Sequence, residues 1–142
     1  MASVFDVAKY ILGKTGEIST MKLQKLVYYS QAWHYAWNEE PLFSEKIEAW
    51  ANGPVVRDLF KAHDGKLKIS NVRKGSLKNL SYEQKISIDK VVKFYGKKSG
   101  RYLSELTHAE RPWKAARGCT PTGEPSSTEI TLQSMLDYYG SL

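Results

Sequence analysis

The side chains that could carry out catalysis are few, and they stand in unrelated parts of the chain. None of the three histidines, His34, His63 and His108, has the spacing of a helical metal-binding pair such as H-x-x-x-H. His108 with Glu110 comes closest to a ligand cluster, but a metal centre or an acid–base site needs further groups in mutual geometry. We therefore interpret His34 as a histidine at the edge of the core that hydrogen-bonds a neighbour. His108 is interpreted as a local brace where the chain bends, or as a partner-facing residue.

Nucleophilic and phosphate-binding chemistry also lack support in the sequence. Cys119 is the only cysteine, and it lies in a stretch rich in Pro, Gly, Ser and Thr, without an obvious histidine beside it. The run from Gly13 to Gly16 lacks the glycine spacing of a P-loop. Four acidic residues flank an expected exposed turn and are interpreted as solvated charges: Glu39, Glu40, Glu45 and Glu48. The sequence thus predicts a protein that is not an enzyme and that uses no cofactor and no metal.

Positive charge is the clearest indication of a partner. The chain has 21 Lys and Arg against 15 Asp and Glu, a formal net charge of +6, which would attract an acidic protein, a nucleic acid or an anionic surface. Residues 65–80 contain five basic residues and no acidic one, and their Gly, Ser and Asn content is typical of a loop. We expect partner binding at the following positions: Lys22, Lys25, Tyr29, Arg57, Lys66, Lys68, Arg73 and Lys74. A basic nucleic-acid-binding or regulatory protein is an alternative, although no helix-turn-helix, zinc-finger or RRM signature is present.

These residues must be positioned by a mainly helical fold that is organised around one long segment. Residues 20–37 contain neither Pro nor Gly, and their apolar and aromatic residues recur at helical spacing on several sides. A helix of this kind is usually covered by other elements, so we predict a central helix that starts at the N-cap Thr20 and ends at Asn38. Its two early lysines, Lys22 and Lys25, are expected to mark the strip that reaches water.

Shorter elements are expected to pack on the central helix. Partial apolar–polar alternation predicts a small β-hairpin within residues 42–50, and Pro54 is predicted to begin a helix because its missing N–H needs no partner there. Ser81 and Gln84 form the pattern of a capping box. Further helices are predicted over residues 3–12, 54–63, 81–95, 99–106, 113–117 and 130–139. The fold class is therefore mainly α, a compact helical bundle in which residues 1–142 form a single domain without a separate DNA-binding domain.

Cellular location follows from what the sequence does not contain. The single cysteine permits no internal disulfide and fits a reducing compartment. The N-terminus does not resemble a signal peptide, and no apolar run approaches the roughly 20 residues of a membrane span. We predict a cytoplasmic protein that does not insert into a membrane.

Three blocks of the sequence together resemble a known family. They are MKLQKLVYYSQAW from Met21, PLFSEKIEAWANGPVV from Pro41 and LSELTHAERPW from Leu103. Their order and spacing resemble the SocA-like, or Panacea, antitoxin domain, whose members are often encoded in phages and prophages. The resemblance implies a mostly helical domain that neutralises a cognate protein toxin, usually encoded beside it, by direct binding. In adaptor-type members the domain instead presents its toxin to a protease, and that role is a further alternative here.

Most residues that match the family motifs are expected to be architectural rather than to contact the partner. They include Leu23, Leu26, Tyr28, Trp33, Trp50, Gly53, Pro54, Thr107, His108, Pro112 and Trp113. Trp50 and Trp113 are expected to pack against the central helix. Because aromatic residues and Arg are the usual anchors of protein interfaces, an exposed Tyr or Trp beside Arg57 is the expected hot spot.

Overall fold

Seven α-helices contain most of residues 2–142, the part of the chain that the computed structural model describes. They are α1 (Val4–Thr15), α2 (Thr20–Asn38), α3 (Arg57–His63), α4 (Tyr82–Tyr95), α5 (Gly100–Ala109), α6 (Arg111–Arg117) and α7 (Leu132–Tyr139). Five short strands accompany them: β1 (Ile18–Ser19), β2 (Ile47–Trp50), β3 (Gly53–Val56), β4 (Lys68–Ile69) and β5 (Glu129–Ile130). The mainly α fold predicted from the sequence is confirmed.

Helix α2 is the central helix, as predicted. It packs against α1, α4, α5, α7 and strand β3, and every residue from Leu23 to Ala32 is buried. Its N-cap is Ser19 rather than Thr20, since the Ser19 hydroxyl accepts a hydrogen bond of 3.1 Å from the backbone N–H of Lys22. The helix ends at Asn38, as the sequence indicated.

The β-hairpin lies later in the chain than predicted. Strand β2 pairs with β3 in an antiparallel register that places Ile47 opposite Val56 and Trp50 opposite Gly53, and β5 pairs with the other edge of β2. Pro54 therefore lies in a strand, and the prediction that it begins a helix was wrong. Because β3 is an edge strand, the missing N–H of Pro54 interrupts no pairing on its open side. Helix α3 begins only at Arg57.

The capping signal predicted at the start of α4 is confirmed. Ser81 and Gln84 form the predicted capping box, with hydrogen bonds of 3.1 Å and 2.8 Å in the two directions. The last helix, in contrast, starts at Leu132 rather than at Ile130, because Ile130 pairs with Ile47 of β2. A strand pairing 83 residues apart in the sequence leaves no local signal.

The basic segment 65–80 is held against the first helix. The buried Asp6 carboxylate accepts hydrogen bonds from the backbone N–H of Ser76 at 2.7 Å and from the Asn79 amide at 3.2 Å. The Lys9 ammonium donates to the carbonyl of Val72 at 2.7 Å. Strand β4, within the same segment, pairs with β1. These contacts fix the segment at several points along its length.

Asp6 should make the stability of the protein depend on pH. Burial raises the pKa of this carboxyl group, but hydrogen bonds from Ser3, Ser76 and Asn79 outweigh burial and bring the pKa below its ordinary value of 3.8. The resulting stabilisation is complete above pH 3.8 and is lost as the pH falls through the lowered pKa of the folded state. We expect Asp6→Asn to lower the free energy of unfolding at neutral pH by about 1 to 3 kcal/mol, because an amide N–H would face one of the donors.

Urea denaturation of both proteins at several pH values measures this effect. The difference between Asp6→Asn and the wild type should shrink below pH 3.8, where the wild-type carboxylate also takes up a proton. Asp64→Asn is the matched control at an exposed position and should change stability by no more than about 0.5 kcal/mol. A difference that stays constant across this pH range would contradict the role assigned to the Asp6 charge.

Candidate functional site

A cavity of about 640 Å³ opens to solvent between α2, the β2–β3 hairpin and α3. We call it the Lys25 cavity, after the buried lysine in its wall. Residues 125–127, in the loop before β5, line it as well. The polar, charged and aromatic side chains in its wall include Gln24, Lys25, Trp50, Arg57, Phe60 and His63.

Lys25 is 1% exposed, so the expectation that it marks a strip reaching water was wrong. The hairpin covers this side of α2, and the Lys25 ammonium donates a hydrogen bond of 3.1 Å to the carbonyl of Pro54. Removal from water lowers the pKa of Lys25 to about 7. The chain passes close above the lysine at Gly53, where an added Cβ atom would lie 2.6 Å from Lys25 Cε.

A second polar group in the cavity wall joins α2 to α3. The Gln24 side chain accepts from the N–H of Val56 at 2.9 Å and donates to the carbonyl of the same residue at 3.3 Å. Its amide nitrogen also lies 2.9 Å from His63 Nε2, which therefore acts as an acceptor. Burial lowers the pKa of His63 below its ordinary value, which favours this neutral form.

Three residues that line the cavity, Trp50, Arg57 and Phe60, form an aromatic and charged cluster with the neighbouring Glu48. We call this cluster the Trp50 mouth. The Arg57 guanidinium binds both carboxylate oxygens of Glu48, at 2.8 Å and 3.3 Å, and it lies 5.4 Å from the centre of the half-buried Trp50 ring. Trp50 donates its indole N–H to Glu48 at 2.8 Å and packs edge-on against Phe60. The structure thus places a tryptophan beside Arg57.

Two of the acidic residues interpreted as solvated charges have structural partners. Burial raises the pKa of Glu48, but hydrogen bonds from Arg57 and Trp50 outweigh burial and lower it below the ordinary value. Glu45 accepts a hydrogen bond of 3.0 Å from the backbone N–H of Val4 at the start of α1. The interpretation was therefore wrong for these two residues, because their partners lie in other elements of the fold.

Tyr29 belongs to a buried polar cluster and not to a surface. Its hydroxyl donates to Glu110 at 2.7 Å, and the hydroxyl of Tyr139 donates to the same carboxylate oxygen at 2.8 Å. Burial raises the pKa of Glu110 above its ordinary value. Tyr29 is completely buried, which contradicts the prediction that it lies on a partner-binding surface.

The remaining basic residues expected to bind a partner contact different elements. The Lys22 ammonium donates to the carbonyl of Gly96 at the end of α4, whereas Lys74 lies 5.2 Å above the ring of Phe5 in α1. Lys66, Lys68 and Arg73 are exposed in or beside the loop that holds β4. Among the predicted positions, Arg57 alone lines the Lys25 cavity with an exposed side chain.

Several family-motif residues meet at the hairpin and α5. Trp113 stacks on His108 with ring centres 3.9 Å apart and donates its indole N–H to the carbonyl of Trp50 at 2.9 Å. Trp113 stacks on a residue of α5, and Trp50 packs edge-on against Phe60 of α3. That both tryptophans pack against the central helix stays a prediction. His108 braces the bend by stacking, as one of the two interpretations proposed.

Thr107 and Glu110 do not form a capping box at the bend between α5 and α6. The Thr107 hydroxyl donates to the carbonyl of Ser104 at 2.7 Å, and the carboxylate of Glu110 is occupied by two tyrosines. Sequence reasoning also missed Arg117, which is buried and donates to three backbone carbonyls, including that of Ala49 at 3.1 Å. No residue next to Arg117 in sequence signals this role.

His34 has the environment predicted for it. Its Nδ1 atom lies 2.8 Å from the hydroxyl of Ser87, in a buried contact between α2 and α4. Within residues 2–142 no group of three or more His, Cys, Asp and Glu side chains is arranged to hold a metal ion. None of the helices in the same residues combines the length and apolar character that crossing a membrane requires.

Fold and site together define a small, mainly α-helical domain that carries a solvent-open cavity with a buried lysine in its wall. A family model described as Antitoxin SocA-like, Panacea domain, matches residues 23–114, which is more than half of the chain. The chain therefore belongs to the SocA-like antitoxin, or Panacea domain, family. A comparison with curated proteins finds no match, and neither does a comparison with solved structures.

Proposed function

We propose that this chain is an antitoxin that neutralises a cognate protein toxin by binding it directly, without catalysing a reaction. The observation that carries the proposal is the match of the Panacea domain over residues 23–114. The toxin is expected to be encoded by an adjacent gene, and residues 1–142 are proposed to act as one antitoxin domain. The net charge of +6 would assist association with an acidic partner.

The Trp50 mouth is the surface proposed to contact the toxin. Tryptophan and arginine are enriched among the residues that dominate binding energy at protein interfaces. Both carboxylate oxygens of Glu48 hold the Arg57 guanidinium beside the indole ring of Trp50. Side chains that are already ordered lose less conformational entropy on binding, which favours this cluster over the long exposed lysines of segment 65–80.

Co-expression with the neighbouring gene tests the function. We expect the neighbour alone to stop growth, this chain to restore growth, and the two proteins to co-purify at high salt. Rescue without a complex, accompanied by disappearance of the toxin, would contradict direct neutralisation and favour the protease-adaptor alternative. Salt-sensitive binding to nucleic acid without a toxin complex would favour the alternative of a basic nucleic-acid-binding or regulatory protein.

Arg57→Ala tests the proposed surface. If Arg57 is an interface hot spot, its truncation should weaken the affinity for the toxin by about 30-fold, equivalent to about 2 kcal/mol. Arg101→Ala is the matched control, since the Arg101 side chain is 89% exposed and is paired with one carboxylate, that of Glu105. Isothermal titration calorimetry with the purified toxin gives both affinities. Equal affinities for the two variants would exclude Arg57 as an anchor of the interface.

A further inference from the structure

We propose that the Lys25 cavity is a binding site for a small monocarboxylate with an apolar body, and that the Lys25 ammonium group binds its carboxylate. The volume of about 640 Å³ lies in the range of about 300 to 1,000 Å³ that is typical of small-molecule sites. Such a site would exist in the isolated chain and does not depend on the identity of the toxin.

Lys25 has no anionic partner in the part of the chain that the structure describes. A lysine ammonium group has three N–H donors, and the one hydrogen bond that it makes in residues 2–142 is to the carbonyl of Pro54. None of the ion pairs formed within the same residues includes Lys25. Burial of an unpaired cation is costly, whereas a carboxylate in the cavity would supply both the missing charge and further acceptors.

The charges of the groups around Lys25 favour an anionic ligand. His63 of α3 and His108 of α5 both have a lowered pKa, chiefly through burial and in part through the positive charge of Lys25. Arg57 at the rim is positive, and the carboxylate that faces it, Glu48, is already bound by the guanidinium. The carboxylates that act on the two histidines, Asp64 and Glu105, are exposed and form no ion pair with Lys25. A single unsatisfied positive charge in the cavity wall matches one carboxylate rather than a dianion.

The walls of the Lys25 cavity fit a ligand with an apolar body. The rings of Trp50 and Phe60, together with Met21 and Val55, form apolar walls around the cavity that contains Lys25. A wall of this kind accommodates an aromatic or aliphatic body attached to the carboxylate. The bend at Gly53 leaves space for the lysine, because a side chain there would displace Lys25 Cε.

Titration of the full chain with phenylacetate, followed by heteronuclear NMR, tests the proposal. Phenylacetamide is the uncharged probe of the same shape. We expect phenylacetate to shift the resonances of Gln24, Lys25, Trp50 and Phe60, and to bind at least about tenfold more tightly than the amide, as expected for loss of a charged hydrogen bond. Equal affinity of the acid and the amide would overturn the proposal, as would failure of acetate, phenylacetate and indole-3-propionate to bind at millimolar concentrations.

Lys25→Met tests whether the ammonium group of Lys25 is needed for phenylacetate binding. Methionine keeps an unbranched side chain of similar length, and replacing an unpaired buried cation with an apolar group should leave the fold intact. We expect the variant to melt at or above the wild-type temperature and to lose phenylacetate binding at least tenfold. Lys93→Met removes the same charge from an exposed position on α4 and should bind phenylacetate as the wild type does. Unchanged binding by Lys25→Met would overturn the proposal.

The pH dependence of wild-type binding gives a measurement that needs no variant. The carboxylate binds the charged form of Lys25, whose pKa in the free chain is about 7. The affinity of the chain for phenylacetate should therefore fall about tenfold between pH 6 and pH 8. Burial lowers the pKa values of His63 and His108 below the ordinary 6.5, so both histidines become neutral at a lower pH than a free imidazole does. Affinity that does not change with pH would contradict the role of Lys25.

The same titrations and variants also distinguish two possible occupants of the cavity, a free small molecule and an acidic side chain of the toxin. If the free carboxylates fail to bind, but Lys25→Met loses toxin affinity and Lys93→Met does not, then the toxin fills the cavity and the small-molecule proposal is wrong. Because the NMR titration uses the isolated chain, a positive result stands even if no neighbouring toxin is found. A negative result likewise leaves the proposed antitoxin function untouched.

Discussion

Replacement of Trp113 by alanine is expected to lower the free energy of unfolding by about 3 to 5 kcal/mol. The Trp113 side chain is 7% exposed, and its ring lies between His108, at a centre distance of 3.9 Å, and the Arg117 guanidinium at 5.0 Å. Alanine would leave a cavity between α5 and α6. It would also remove the indole N–H that binds the carbonyl of Trp50. Since small domains are stable by about 5 to 15 kcal/mol, the variant would be close to unfolding.

Urea denaturation, followed by circular dichroism, measures this effect without interference from the changed tryptophan fluorescence. Trp37→Ala is the matched control, because Trp37 is 46% exposed near the end of α2 and should lose about 1 kcal/mol or less. Similar losses in the two variants would contradict the role assigned to Trp113. The result also matters for mapping the toxin surface, since loss of neutralisation by Trp113→Ala would follow from unfolding alone.

Gly53→Ala is expected to destabilise the protein by about 3 kcal/mol. The φ angle of Gly53 is +119°, a conformation that side chains disfavour, and the new Cβ atom would lie 2.6 Å from Lys25 Cε and 3.0 Å from Thr107 Oγ1. The lysine would have to move, which would break its hydrogen bond to the carbonyl of Pro54. Backbone strain and displacement of the buried ammonium group would therefore both lower the free energy of unfolding.

Gly13→Ala provides a control in which the same substitution should stabilise the protein by about 0.5 to 1 kcal/mol. Gly13 lies in α1, and a Cβ atom there would meet nothing within 4 Å. A double-mutant cycle with Lys25→Ala separates the two causes at Gly53. Removal of the lysine stem should relieve the clash, so the double variant should lose less stability than the sum of the single variants. A neutral Gly53→Ala would show that the hairpin adapts to a side chain.

The elements that the sequence predicted well depend on residues close together in the chain. The central helix α2 follows from the helical spacing of its apolar residues, and the capping box of Ser81 with Gln84 follows from a spacing of three. The hairpin was predicted in nearly the right place but too early. Pro54 is suited both to the first turn of a helix and to an edge strand, and only the pairing of β3 with β2 decides between them.

Residue patterns along the chain were therefore sufficient to predict the mainly α fold class, the central helix and, through three motif blocks, the family. They were not sufficient to predict which polar residues are buried. Lys25 looks like a surface lysine until the hairpin, about 30 residues later, covers it, and Tyr29 meets Glu110 across 81 residues of sequence. Burial depends on elements that are distant in the chain, and so does the pKa of a group such as Lys25. For this reason the cavity, and the chemistry proposed for it, could be recognised only in the folded protein.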